Sequence, residues 1–228
     1  MKTQFSILIL CGLLPVSVAL ADNKTPDSTT SPDRVTIFQA PLVCPAAPQI
    51  GCGSRAKPML LELERNASVS EAWLNRAGTK LALVWKSESK PSDRQSIEAQ
   101  LKEHGATELK GKQRNEAVTE FLSGKGWYRG ADVDRLSEEE AGIIAARLVR
   151  RVQAKTTLSK DKAQALEQAL SDAIKKRFAD DQVKQSQDAM LKTEGGLQQL
   201  ASQYLEKDQV PILKEAIDAG LRPLPNEQ

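Results

Sequence analysis

The chain has 228 residues, of which 40% are apolar and 27% are charged. This composition is typical of globular proteins and excludes collagen-like, disordered and multi-span membrane proteins. Its 32 basic and 30 acidic side chains nearly cancel, which argues against a protein that binds nucleic acid by neutralising phosphates. A single histidine and three cysteines exclude most zinc sites and most histidine-based catalytic sites. We therefore expect no catalytic residue, no cofactor and no resident metal.

The first 21 residues have the pattern of a secretory signal peptide. A positively charged start precedes an apolar run over residues 5–18, and Ala19 and Ala21 define a small-residue cleavage site. The apolar run is too short to cross a hydrocarbon core of about 30 Å. We expect cleavage after Ala21 and an exported protein, periplasmic or secreted, with no transmembrane anchor after cleavage.

Composition divides the remaining chain into three regions. Residues 22–33 are polar and rich in Ser, Thr and Pro, which predicts a disordered tether. Residues 34–131 alternate between strand and helix patterns and are predicted to form an α/β domain. Residues 132–228 lack strand patterns and are predicted to form an all-helical module. The predicted fold class is thus α/β or α+β, followed by helices.

Apolar runs and capping signals predict alternating strands and helices in the α/β domain. The expected strands cover residues 35–38, 81–85 and 106–109. The expected helices begin at Pro58, Ser68 and Ser92, where Glu71 and Gln95 complete capping boxes for the last two. The order β-α-β-α-β predicts a small, mainly parallel sheet of three to four strands with right-handed crossovers. A thioredoxin-like arrangement is one candidate for this sheet.

The helical module contains two similar helix starts. Residues 136–141 and 158–163 both match L-S-x-[DE]-x-A, so Ser137 and Ser159 are expected as N-caps. The two starts are either an internal repeat or two independent capping signals, and they resemble helix starts of periplasmic stress chaperones. Apolar stripes predict one buried face on each of the helices that follow. The stripes are Ala141, Ile144, Leu148 and Val152, then Leu166, Leu170, Ile174 and Phe178, and finally Val210, Leu213 and Ile217 before Gly220.

Cys44 and Cys52 remain after cleavage, because Cys11 leaves with the signal peptide. An even number of cysteines in an oxidising compartment predicts a disulfide, and the Pro-rich segment between them favours a bent loop. Closing a ring of this size would contribute about 2–3 kcal/mol to stability. A redox-active pair, a thiolate metal site and two free thiols are the alternatives. The spacing is not Cys-x-x-Cys, the usual redox motif.

A glycine-rich segment follows the second cysteine. Residues 51–56 fit G-x-G-x-x-A, but a Pro-rich loop precedes them and Pro58 follows, which argues against a dinucleotide-binding loop. Glycines beside a helix start expose backbone N–H groups. A candidate anion nest is therefore formed by Gly53, Ser54, Arg55 and Lys57. The alternative is a tight connection with solvated cations.

Two aromatic residues stand between glycines at the junction of the two regions. Trp127, Tyr128 and Arg129 are of the residue types that dominate interface hot spots. We consider this segment a candidate docking surface for a partner, possible partners being other periplasmic proteins. The alternative is that Trp127 fills the space between the two regions.

Two further polar features receive structural interpretations. Glutamates at residues 138–140 are interpreted as charges that complement the positive end of a helix, rather than as a metal site. His104, just before Gly105, is placed at the end of a helix.

Taken together, the residues favour a non-enzymatic exported binding or stress-related protein. The alternative is a thioredoxin-like thiol–disulfide oxidoreductase or a thiolate metal-binding protein that uses Cys44 and Cys52. The sequence does not indicate the ligand or the oligomeric state.

Overall fold

Five strands form the main sheet, and every neighbouring pair of strands is antiparallel. The computed structural model describes residues 25–26, 30–179 and 199–227. The strands of the main sheet are β1 (Val35–Gln39), β4 (Val69–Asn75), β5 (Lys80–Trp85), β6 (Thr107–Glu108) and β7 (Trp127–Arg129), and a separate hairpin consists of β2 (Val43–Cys44) and β3 (Ala47–Gly51).

Helices connect and cover these strands. The helices of the described residues are α1 (Gly53–Arg65), α2 (Pro91–Glu103), α3 (Gly111–Leu122), α4 (Asp134–Gln153), α5 (Lys160–Ala179) and α6 (Val210–Asp218). Short 3-10 turns lie at Pro32–Arg34, Gly130–Val133 and Pro225–Glu227. Within the described ranges, no helix has both the length and the hydropathy that a membrane crossing requires.

The prediction of a mainly parallel sheet is wrong, and so is the thioredoxin-like arrangement that depended on it. The error lies at residues 69–75, where a helix capped by Ser68 and Glu71 was expected and strand β4 is found. Only residues 76–79 separate β4 from β5, and a connection this short permits only an antiparallel pair. The side chain of Asn75 fixes this turn, because its Oδ1 accepts hydrogen bonds from the backbone of Thr79 (2.9 Å) and Lys80 (2.8 Å).

With β4 as a strand, and with the separate hairpin β2–β3 left out, the order from β1 to β6 is β-α-β-β-α-β. The first four strands of the sheet lie in the order β6-β1-β5-β4, which is the split arrangement called ferredoxin-like. Strand β7 extends this sheet at the free edge of β4. The strands predicted at residues 35–38, 81–85 and 106–109 are present as β1, β5 and β6.

The sheet is buried on both faces. Helices α1 and α2 cover one face through Leu60, Leu63, Ile97 and Leu101. Helix α3, which the sequence did not predict, covers the other face through Val118 and Phe121. Helix α2 begins near its predicted start and ends before Gly105, whose positive φ of 79° suits glycine.

A third core is formed by the helices α4, α5 and α6. Most of each predicted stripe is buried: Ala141, Ile144, Leu148, Val152, Leu166, Leu170, Ile174, Leu213 and Ile217. The remaining two positions, Phe178 and Val210, are half-buried and pack against this core. The hairpin β2–β3 packs into this helical core and not onto the sheet, through Cys44, Ala46, Ala47, Ile50 and Cys52. A segment from the predicted α/β domain thus completes the core of the predicted helical module.

The two L-S-x-[DE]-x-A motifs occupy different positions in their helices. Ser159 precedes α5 and its hydroxyl accepts a hydrogen bond from the Lys162 backbone at 3.3 Å, as a cap does. Ser137 lies inside α4, which begins at Asp134. The predicted cap at Ser137 is therefore wrong.

Some predictions fall on residues outside the described ranges. The signal peptide, residues 1–21, and the break at Gly195–Gly196 lie there. Of the predicted tether, residues 25–26 and 30–33 are described; Pro26 is buried, and Pro32 begins the first 3-10 turn.

Candidate functional site

The hairpin β2–β3 brings the two cysteines together. Cys44 ends β2, and Cys52 follows β3 as the residue that precedes α1. Val43 pairs with Gly51 across the hairpin, and the backbone N–H of Cys52 donates to the carbonyl of Leu42 at 2.7 Å. Both cysteines are fully buried free thiols, so the predicted disulfide is not formed in the structure.

A glycine brings α1 into direct contact with α4. A Cβ atom on Gly53 would lie 2.5 Å from Ser137 Oγ and 2.6 Å from the Val133 carbonyl oxygen, both far inside van der Waals contact. Only a residue without a side chain allows this approach. The first turn of α1 therefore lies against the first turns of α4, which places Glu140 beside Cys52.

Cys44, Cys52 and Glu140 form one cluster, which we call the thiol–carboxylate cluster. The two sulfur atoms and a carboxylate oxygen of Glu140 all lie within 4.8 Å of one another. The cysteines have no solvent exposure and Glu140 retains 1%. One oxygen of Glu140, Oε2, is buried without a hydrogen-bond partner. The cluster thus combines three metal-ligating side chains with an unsatisfied acceptor in an apolar core.

Hydrogen bonds within the cluster distribute its protons unequally. A hydrogen bond from Cys44 lowers the pKa of Cys52 to about 6, with help from the Ser54 hydroxyl at 3.4 Å and the Arg55 backbone N–H. The hydrogen bond to Cys52 raises the pKa of Cys44, and burial and the Glu140 carboxylate raise it further. Burial, together with the charge of Cys52, raises the pKa of Glu140 to about 7. Of the two thiols, Cys52 is therefore the one that ionises more readily.

Arg147 connects the cluster to the end of the chain. This side chain is 5% exposed and donates from one nitrogen to the carbonyls of Ala46 (2.7 Å) and Leu221. Its charge also interacts with Cys44. The arginine therefore supplies a positive charge near the cluster, one turn beyond Ile144 on α4.

Two residues of the predicted anion nest, Ser54 and Arg55, lie against the sulfur of Cys52. Gly53 is buried, Ser54 contacts Cys52 Sγ, and the backbone N–H of Arg55 donates to the same sulfur. The Lys57 ammonium instead pairs with Asp134 at 2.6 Å on the surface. The first turn of α1 thus directs donors at the side chain of Cys52.

The predicted docking segment forms strand β7, and its tryptophan lies in the core. Trp127 is 2% exposed, and Phe121 packs against it edge to face with ring centroids 5.2 Å apart. The ring of Trp73 also packs against Phe121 edge to face, with ring centroids 5.9 Å apart. Arg129 is half-buried and pairs with Glu64 at 2.5 Å and Glu71 at 3.3 Å. We call Trp73, Phe121 and Trp127 the aromatic cluster.

Sequence reasoning missed Glu140 as a site residue. The glutamates at 138–140 were interpreted together as a helix start, yet α4 begins four residues earlier at Asp134. Glu140 is also four residues from both Leu136 and Ile144, two buried apolar positions of the same helix. This spacing was a detectable sign that Glu140 faces the core.

Comparison with known proteins identifies no family for this chain. No protein-family model matches the chain, and no curated protein or solved structure shows significant similarity to it.

Proposed function

We propose that this chain is an exported protein that binds a soft or borderline metal ion through the thiolates of Cys44 and Cys52. The observation that carries the proposal is the thiol–carboxylate cluster, whose ligand atoms lie within 4.8 Å of one another in a solvent-excluded core. Thiolate metal binding is the alternative that the sequence left open, and it replaces the expectation of no resident metal.

The dimensions of the cluster support a metal ion. Zinc–sulfur bonds of about 2.3 Å and zinc–oxygen bonds of about 2.0 Å place tetrahedral ligand atoms roughly 3.5–3.8 Å apart. The ligand atoms of Cys44, Cys52 and Glu140 lie within 4.8 Å of one another, so small movements of these side chains would bring them to tetrahedral spacing. Thiolates favour zinc and Cu(I) among the common biological metals.

Burial argues against a thiol–disulfide oxidoreductase. Such an enzyme presents a thiolate to the disulfide of another molecule. Neither Cys44 nor Cys52 has any solvent-exposed surface. An ion held in an interior site requires only transient opening of the hairpin, whereas a protein substrate requires an exposed sulfur.

Export remains part of the proposal and is supported by the residues at the N-terminus. The signal-peptide pattern of residues 1–21 implies an oxidising compartment, in which two adjacent thiols are prone to join as a disulfide. A bound ion would protect both thiolates from this oxidation. Cell fractionation, with mass determination of the chain in the exported fraction, tests for cleavage after Ala21.

Metal binding is tested on purified protein by elemental analysis and thiol counting. We expect close to one bound ion per chain and two reactive thiols after denaturation with a chelator. Reduced protein titrated with Co²⁺ should develop a sulfur-to-cobalt charge-transfer band. Cys44→Ser and Cys52→Ser should each abolish that band.

Ala46→Ser is the matched control, because it introduces a hydroxyl into the same buried hairpin outside the cluster. This variant should retain the charge-transfer band. Reduced wild-type protein with two free thiols and no bound ion would overturn the proposal. A disulfide in the isolated protein, with no metal binding after reduction, would restore the disulfide staple.

A further inference from the structure

Glu140 is the least satisfied group of the thiol–carboxylate cluster. Its side chain is 1% exposed, the thiol of Cys44 donates a hydrogen bond to the carboxylate, and Oε2 has no hydrogen-bond partner. A buried carboxylate oxygen without a donor is costly, and native proteins normally pair such a group or use it to coordinate a metal. A metal site made of two thiolates alone would not require a buried carboxylate.

The charges around the cluster match a divalent ion. Two thiolates and the Glu140 carboxylate carry three negative charges. Of the charged groups that act on the buried guanidinium of Arg147, Glu227 pairs with Arg151 at 2.8 Å, and Arg147 itself places one positive charge where it interacts with Cys44. A divalent ion supplies the remaining two.

Ligand chemistry leads to the same choice. Cu(I) is a soft ion that two thiolates can satisfy, whereas zinc accepts carboxylate oxygen together with sulfur in sites of three or four ligands. We propose that Glu140 is the third ligand of the site and that it selects a divalent ion of the zinc type over Cu(I). This inference rests on the proposed function, because it assigns the class of ion to the same site.

The experiment compares wild-type protein with Glu140→Gln, which preserves size and removes the charge. Zn²⁺ affinity is measured by competition with a chromophoric zinc chelator, and Cu(I) affinity by competition with a Cu(I)-specific chelator under anaerobic conditions. We expect Zn²⁺ affinity to fall by about 100-fold or more, since even groups that only support a ligand change affinity about 10–100-fold. Cu(I) affinity should change by less than about threefold.

Glu138→Gln is the matched control, since Glu138 belongs to the same run of glutamates and is exposed. It should leave both affinities unchanged. Glu140→Asp, which retains the charge on a shorter side chain, should recover part of the Zn²⁺ affinity and guards against a variant that simply misfolds. Equal losses for Zn²⁺ and Cu(I), or no loss for either, would overturn the selection by Glu140. Wild-type protein that binds neither ion would overturn the proposed function instead.

Discussion

The thiol–carboxylate cluster and the aromatic cluster are equally buried, but they differ in what burial leaves unsatisfied. Trp127 Nε1 and Glu140 Oε2 are both buried side-chain atoms without a partner. The indole N–H is neutral and belongs to a ring that packs against Phe121. The carboxylate can ionise, and it faces two thiols. A neutral unpaired donor is a tolerable cost of packing, whereas a chargeable acceptor among thiols indicates a ligand.

The comparison also distinguishes the two segments that the sequence indicated as candidate sites. The Trp127 segment is predicted from the sequence either as a docking surface or as a place where the tryptophan fills the interior, and it forms an edge strand whose tryptophan lies in the core. The cysteines were offered as a staple and lie in a group that can hold an ion. Both segments contain unusual residue types. Only the residues that surround them in the structure show which segment packs in the core and which can bind an ion.

The largest expected effect concerns the aromatic cluster. Trp127→Ala should lower the free energy of unfolding by about 3–5 kcal/mol, as for other buried large aromatic side chains. Denaturant titration measures this loss. Leu122→Ala is the control, because Leu122 is 36% exposed and should change stability little. A loss below about 1 kcal/mol for Trp127→Ala would indicate that the ring does not support the core.

Zinc should stabilise the wild-type protein through the other cluster. At a free concentration 100-fold above the dissociation constant, binding to the folded state alone adds about 2.7 kcal/mol. For a chain of this size that corresponds to a rise in melting temperature of roughly 5–11 °C.

Trp127→Phe should retain the whole zinc increment, because the two clusters lie in separate cores and independent sites contribute additively. Calorimetry with and without zinc measures both increments. A zinc increment that disappears in Trp127→Phe would show that the clusters are coupled and that the comparison between them fails.

Glu140→Leu should affect stability and binding in opposite directions. Without metal, the variant should be more stable than wild type by about 1–3 kcal/mol, because an unpaired buried carboxylate is replaced by an apolar side chain. The stabilisation by zinc should disappear. Glu138→Leu, on the exposed side of the same helix, should change neither quantity. A metal-free Glu140→Leu protein less stable than wild type would mean that the carboxylate is satisfied by the protein itself.

The smallest expected effect concerns the predicted anion nest. Lys57→Met removes an ion pair with Asp134 in which both side chains are more than a third exposed. Such pairs contribute less than about 1 kcal/mol. The same variant should not alter zinc affinity, because Lys57 pairs away from the cluster. A tenfold weaker zinc affinity would show that the positive charge of Lys57 reaches the site.

Local signals predicted much of the chain correctly. The continuous apolar run at 81–85 is a buried strand, and the stripes of α4, α5 and α6 are buried helix faces. The periodic spacing of apolar residues is a property of a short segment, so a short segment contains the information needed to predict its secondary structure and its buried face. The prediction for residues 69–75 was wrong because their structure depends on distant residues. The capping signal is local, whereas the backbone hydrogen bonds of this strand go to β5 and β7.

The sequence by itself determined most of the periodic elements and predicted two cysteines after signal cleavage, but it placed the start of α1 at Pro58, whereas the helix begins at Gly53. Only the tertiary structure decided that the sheet is antiparallel, that Trp127 is internal, and that Glu140 joins Cys44 and Cys52. The physical reason is separation along the chain. Glu140 lies almost 90 residues beyond Cys52, and their proximity depends on the bare backbone of Gly53 against α4. No pattern within either segment specifies that contact.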